Sequence, residues 1–416
     1  MLQSCARVCY TIENMEKPTA SPPKSKIPRN VIIVAFVALA SGFGQDLIVP
    51  ILPGFLAALG ISRAGIGLID GLLQGSTSIF RFISGILSDK FKNRKFFVFL
   101  GYALSSVARP LLALTGTLSA VATLRTIDGV GKGMKDAPRD ALIADSAHEK
   151  ARGRAFGFQR LIDTAGSVLG PLVAAGLLLL FLPTLSTYRL IFALAIIPGA
   201  IALALIAFGI REPKPTERAP LQLRKKFPWQ FWLFTGGTTI AMLTKINESL
   251  FLVRAHDVGI PIAWIPVLFA GFTLLYALLS YPLGIWSDRI GKLPLITAGW
   301  FVLAIVEFGF AKTPPFAATL FLFALYGLFF ALTEGSGRAL IADLVPQGAR
   351  GSAYAVFHTI VGLGVILGGY MLGRIWDTIS PATAFHVASA GSLLGFLVLL
   401  MLVLADKSTL SRAAKF

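Results

Sequence analysis

The chain has 416 residues, 55% of them hydrophobic and only 14% charged, with a mean hydropathy of +0.74. A soluble domain carries about 25% charged residues, so this composition excludes a soluble enzyme and a disordered regulator. The formal net charge of +17 would suit a nucleic-acid binder only if the charges formed a patch, so their placement decides.

A membrane-spanning helix needs about 20 mostly apolar residues. Twelve stretches qualify, at 31–52, 66–87, 96–115, 118–137, 155–181, 189–210, 229–253, 262–286, 294–311, 316–337, 350–373 and 382–405. Span four is the most polar of them. An even number of spans puts both termini on one side. Most of the Lys and Arg residues lie on the side of the N-terminus, in the tails, the central loop and the even-to-odd loops. Arg63, Arg189, Arg254, Lys312 and Arg374 fall at the other side. Positive charge marks cytoplasmic loops, so both termini are expected in the cytoplasm of a multi-pass cell-membrane protein (the inner membrane, if the source is a bacterium). The basic excess then needs no nucleic acid. Residues 1–30 read as a flexible tail without a cleaved signal segment. Cys5 and Cys9 within it read as two reduced thiols.

An internal repeat follows. Gly85-Ile-Leu-Ser-Asp89-Lys90 recurs as Gly284-Ile-Trp-Ser-Asp288-Arg289, and Ala141-Leu-Ile-Ala-Asp145 recurs as Ala339-Leu-Ile-Ala-Asp343. Ala151-Arg152-Gly153 returns as Ala349-Arg350-Gly351, and Gly60 as Gly259. All four matches share one shift within a residue. The expected architecture is an all-α polytopic membrane protein of twelve transmembrane helices in two pseudo-symmetric six-helix halves, 31–210 and 229–405. A basic cytoplasmic linker at 211–228 joins them, and 406–416 forms a second tail.

Two halves with Gly-x-x-x-Asp-Lys/Arg between spans two and three, and again between eight and nine, resemble the major facilitator superfamily. The first copy has Asn93 where a glycine is usual, and the second keeps Gly291. Arg125-Thr-Ile-Asp128-Gly129-Val-Gly131 resembles the family's fourth-span motif, with Asp128 where glutamine is common. Gly166-Ser-Val-Leu-Gly170-Pro171 resembles the fifth-span motif of the antiporter branch. The run from Gly131 to Asp140 resembles a poorly characterised prokaryotic subgroup. The resemblance covers about residues 31–405. It implies the fold strongly and says nothing of the substrate.

The resemblance further implies a conformational latch. Asp89 would lie near the start of span eleven and Asp288 near the start of span five, where unpaired N–H groups favour negative charge. Gly85, Gly284, Arg289 and Asp343 belong to the same motifs, with Arg94 and Asp145 as candidate partners. The alternative is that Asp89 is a solvated loop charge.

Span four places Arg125, Asp128, Lys132, Lys135, Asp136 and Arg139 on one helical face. Such charges cost about 2.5–3.5 kcal/mol at the bilayer centre, so they should face a wet cavity or another helix. Arg125 and Asp128 are candidates for proton transfer or anion binding, or form a static ion-paired rib. In span one, Asp46 precedes Pro50, which frees a carbonyl. Broken helices are where transporters bind ligands and ions. Asp46 is the candidate proton-coupling acid, beside Gln45. Its repeat counterpart is Lys245 in span seven, so the two are expected to flank a central cavity. The alternatives are an Asp46–Lys245 pair, or Lys245 paired with Glu248. Asn247 lies in the same segment. Span five aligns Arg160 and Asp163, which either neutralise each other or meet substrate. Gly166, Gly170 and Pro171 suit a rigid seam between the halves. Glu334 and His358 complete the cavity candidates. Asp70, Arg81 and Arg109 read as structural charges near span ends, and most of the 32 phenylalanines as lipid-facing bulk.

Enzyme motifs, metal-ligand clusters and cofactor fingerprints do not occur. The expected function is secondary active transport by alternating access, most simply proton-coupled efflux of a small organic solute or drug by a monomer, with the proton gradient as energy source. Symport or exchange of an anionic metabolite or metal complex is the alternative. A transporter-like receptor would need a folded extramembrane module, and no loop is long enough to hold one.

Overall fold

A computed structural model describes residues 27–91, 93–147, 152–212, 227–345 and 350–413. In chain order the helices are α1 (Arg29–Asp46), α2 (Leu52–Ala58), α3 (Arg63–Phe91), α4 (Arg94–Leu111), α5 (Leu118–Ser146), α6 (Arg152–Phe181), α7 (Leu185–Leu194), α8 (Ile196–Ala204), α9 (Trp229–Thr244), α10 (Glu248–Asp257), α11 (Ile265–Ile290), α12 (Lys292–Ala311), α13 (Phe316–Leu344), α14 (Arg350–Thr378) and α15 (Pro381–Ala413). The pairs α1–α2, α7–α8 and α9–α10 are each one span, so fifteen helices make twelve crossings in two like halves.

Local sequence sets the helix ends. Thr117 and Thr184 accept hydrogen bonds from Ala120 and Thr187, capping α5 and α7. Asn93 does the same for Phe96 at the start of α4, where the second half uses Gly291 at a φ of +94°. The departure from the family glycine thus replaces a left-handed turn with a side-chain cap. Glu212 adds to that cap by accepting from the backbone N–H groups of Arg94 and Lys95 at 2.9 and 2.7 Å. Beyond 405 the sequence lacks proline and glycine, and α15 continues through the segment read as a tail.

Eight spans are long and apolar enough to cross a membrane on composition alone. Spans one, two, four and seven fall outside that set, because they hold the helix breaks and most of the intramembrane charge. The apolar spans turn residues such as Leu114, Leu180 and Phe208 outward, where lipid would cover them. The phenylalanines divide differently from the expectation. Phe251, Phe310 and Phe323 are fully buried and pack edge-on with Tyr326 and Phe385, because rings that interdigitate fill the core of the second half.

The repeat is physical. Gly60 and Gly259 both take positive φ, +73° and +104°, and close the same turn. Gly60 N–H bonds Ala57 and Ile61 N–H bonds Leu56, as Gly259 bonds His256 and Ile260 bonds Ala255. Arg94 pairs with Asp145 in one half, and Lys292 with Asp343 in the other. A Cβ on Gly166 or Gly170 would strike the backbone of α1 at Leu39 and Phe43, and one on Gly364 or Gly368 would strike α9 at Thr239 and Leu243. The seam of Gly166, Gly170 and Pro171 is therefore internal to the first half, joining spans five and one. It does not join the halves. Glycine here removes the side chain that would separate two helices of the same bundle.

Candidate functional site

Spans one and seven break at the same point of the repeat. Span one stops at Asp46 and resumes at Leu52 through tight turns, with Leu47 N–H on Phe43 and Val49 N–H on Gln45. Span seven stops at Thr244 and resumes at Glu248, passing through extended backbone at Lys245 and Asn247. Glu307 of α12 supports this second break from behind. Its carboxylate, 0% exposed, accepts from the Ile246 N–H at 3.1 Å and from the Ser392 hydroxyl at 2.6 Å.

Between the halves lies a cavity of about 190 Å³. One wall comes from spans one, two and four, with Gln45, Asp46, Asp70, Gln74, Arg125 and Lys132. The opposite wall comes from Glu248, Phe269, Phe272, Tyr276, Phe330 and Glu334. Asp46 is 6% exposed and takes a hydrogen bond from Gln45 at 3.0 Å. Among the described residues no cation lies within ion-pair distance of it. Arg160 reaches across the halves to donate to the Tyr276 hydroxyl at 2.6 Å, and that hydroxyl donates to Glu334. Arg160 is also 4.0 Å from Asp163.

Behind the charged wall the ladder of span four, Lys132 apart, is tied within itself and to neighbouring spans. Asp128, 1% exposed, sits between Arg109 at 3.1 Å and Arg125 at 3.2 Å. Arg109 also donates to the Ser41 carbonyl at 2.9 Å, and Lys135 donates to the Ser41 hydroxyl at 3.1 Å while lying over the Tyr102 ring. Asp136 takes Arg81 and Arg139. Arg109 and Arg81 are thus partners of the ladder. Two guanidinium groups fill the acceptor positions of one buried carboxylate with charged hydrogen bonds, which makes this a brace.

Lys245 departs from each pairing read from the sequence. Among the described residues it makes no ion pair with Asp46 or Glu248. Its ammonium faces the rings of Phe330, Phe329 and Tyr326, 5.1, 5.6 and 5.7 Å from their centroids. It therefore does not face Asp46 across the cavity. Asn247 donates to the Gly67 carbonyl at 3.0 Å, and His358 packs by Tyr354 and Phe357.

The end of the molecule opposite the loop motifs is closed by reciprocal caps. Asp377 of the second half accepts from the N–H groups of Arg63 and Ala64, at 3.0 and 2.8 Å, where α3 begins. Asp70 of the first half accepts from the Ser249 N–H at 3.2 Å, where α10 begins. Carboxylates at helix N-termini satisfy otherwise unpaired donors. At the motif end, Gly85 lies near Ala137, Gly284 has open space around it and Arg289 is exposed. The side chains of Asp89 and Asp288 lie outside the described residues.

Three charges have partners or places that the sequence reading did not give. Asp70 lines the cavity and caps the opposite half, Arg109 completes the setting of Asp128, and Glu307 props the break in span seven. A carboxylate inside an apolar run is itself the signal, and Glu307 stands alone within 294–311.

Twelve crossings in two like halves around a charged cavity define a polytopic membrane transporter. The chain matches the family model of the Major Facilitator Superfamily over residues 34–252 and again over 233–416. It is 32% identical over 390 residues to the uncharacterized MFS-type transporter MJ1317 of Methanocaldococcus jannaschii, spanning 91% of this chain and 96% of that one. It is 26% identical over 236 residues to the quinolone resistance protein NorA of Staphylococcus aureus, 55% of this chain and 59% of that one. The fold matches the nucleoside transporter NupG with a TM-score of 0.74 at 14% identity, covering 89% of this chain and 99% of that one. The chain belongs to the major facilitator superfamily; it is a transporter of small molecules and not an enzyme.

Proposed function

We propose that the chain is a proton-coupled antiporter that exports a small organic solute by alternating access. The observation behind this reading is Asp46: a buried carboxylate at a helix break, facing the cavity, with no cation in ion-pair distance among the described residues. Such a group can hold either a proton or the positive end of a solute, and that competition is what couples exchange. Glu248, at the matching break of the other half, offers a second carboxylate of the same kind. Asp128, braced by two arginines, is left out of proton transfer, and Arg125 serves the cavity wall.

The direction of export draws on the resemblance of Gly166–Pro171 to the antiporter branch and on the relationship to NorA. The distribution of Lys and Arg puts the motif end and both termini in the cytoplasm, so the end closed by Asp377 and Asp70 faces outward. The motif residues around Gly85, Asp89, Gly284 and Asp288 would latch the cytoplasmic end in the opposite state. Arg125 and Lys132 in the cavity wall favour a second reading, exchange or symport of an anion.

The test is purified protein in liposomes with a trapped pH dye and an imposed proton gradient, challenged with one solute class at a time. Antiport predicts that solute drives protons in the opposite sense and that Asp46→Asn gives no dye response while still binding solute. Solute and protons moving together would support symport instead. An Asp46→Asn protein with full coupling would remove Asp46 from the mechanism.

A further inference from the structure

Most charged groups at the cavity are already committed. Asp70 holds the Ser249 N–H, Glu334 the Tyr276 hydroxyl, and Arg125 the Asp128 carboxylate. Asp46, which pairs with no cation among the described residues, is the proton-exchanging acid of the proposed function; Lys132 and Glu248 are the charges that remain. Both are half-buried in the cavity wall, and among the described residues neither makes a hydrogen bond or an ion pair. They have opposite signs and line the same cavity from opposite halves, with unlike charges only in their wider surroundings, Asp128 and Asp46 for Lys132 and Lys245 for Glu248. A charge kept inside a membrane without a partner is costly, on the order of 2.5–3.5 kcal/mol at the bilayer centre. What complements such an arrangement is a solute with a negative end for Lys132 and a positive end for Glu248.

The rest of the cavity narrows the choice. Phe272 packs with Phe269 at 5.0 Å and with Phe330 at 6.4 Å between ring centroids, giving one apolar panel beside the two charges. At about 190 Å³ the space is below the roughly 300–1,000 Å³ of sites for drug-sized ligands. We propose that the cavity binds an amino-acid-sized zwitterion with an apolar side chain, its carboxylate at Lys132 and its ammonium at Glu248, its side chain against the phenylalanine panel. This rests on the reading of the cavity as the transport site. A ligand bridging both charges would also tie the halves together, which is what a solute must do to be enclosed.

Calorimetry on the full chain in detergent, with no gradient present, tests this. Leucine and phenylalanine are compared with their amines (isoamylamine, phenethylamine) and with their deaminated acids (isocaproate, hydrocinnamate). One of the two amino acids should bind at least about tenfold tighter than both of its truncated forms, as expected for a lost charged hydrogen bond. Lys132→Gln should abolish the advantage over the amine, with the amine itself bound no more weakly than by the unmodified protein. Glu248→Gln should abolish the advantage over the acid. Equal binding of amine and amino acid, or no preference for either zwitterion, overturns the proposal. Should a glutamine variant fail to fold, the ligand series on the unmodified protein decides alone, with Lys132→Arg expected to keep the preference. Selective binding without proton movement in liposomes would defeat the antiport reading and leave the ligand class standing.

Discussion

The two helix breaks share a backbone device and differ in everything attached to it. In span one the break is a set of tight turns that leaves Asp46 facing the cavity beside Gln45. In span seven it is extended backbone, and the residue in the matching place, Lys245, is turned onto three aromatic rings. Behind it stands Glu307, which satisfies the Ile246 N–H that extension exposes. Duplication thus supplied two openings in the helix ladder, and the side chains divided the labour. One break holds a carboxylate beside Gln45, while the other is propped from outside and presents its acid, Glu248, one residue into the next helix.

Substitutions at the two breaks separate these roles. The largest effect is expected from Asp46→Asn, which should remove dye-reported proton exchange in liposomes altogether while leaving the protein folded in detergent. Glu307→Ala should come next. It strands the Ile246 N–H and the Ser392 hydroxyl in a water-free core and should cost about 3 kcal/mol of stability, read as a lower unfolding midpoint. Glu307→Gln, which keeps an acceptor oxygen, should recover part of it. If Glu307→Ala were as stable as the parent, the second break would need no prop and the contrast would collapse. Asp377→Asn weakens a charged helix cap that holds shut the end opposite the loop motifs. It should shift the balance toward opening of that end by up to about 2 kcal/mol, measured as longer spin-label distances between the Arg63 end of span two and the Asp377 end of span eleven. Lys245→Met should be mildest, losing about 1 kcal/mol of cation–ring attraction in unfolding experiments with proton exchange intact. A loss of exchange there would make the two breaks functional equivalents.

The sequence shows the fold well because lipid leaves the chain few choices. Long apolar runs must be helices, and the repeated Gly85–Lys90 and Gly284–Arg289 segments announce the two halves. Charges within spans were equally visible, and Asp46, Glu248 and Glu334 line the cavity. Partners were not visible. That Arg109 meets Asp128, that Arg160 crosses to Tyr276, and that Lys245 prefers rings to carboxylates all depend on how helices distant in sequence rotate against one another. Glycine spacing tells the same story. It predicts close approach at Gly166 and Gly170, yet the helix that approaches is span one of the same half, a fact fixed by topology and absent from local pattern.

Among the described residues spans two and eleven form the most extensive helix pair, and apart from the Asp377 cap much of their contact is made by main chain. Gly67 lies on Gly369, Gly71 on Ile366, and Gly373 on Arg63 and Ala64. The matching contact of spans five and eight is made by side chains, with Arg160 on Tyr276. Along its bare-backbone stretch the joint of spans two and eleven offers little for a solute to grip, and salt and pH reach it only through the Asp377 cap at its end. The joint of guanidinium and phenol lies beside the cavity itself, so a solute there should be felt first on the side of spans five and eight.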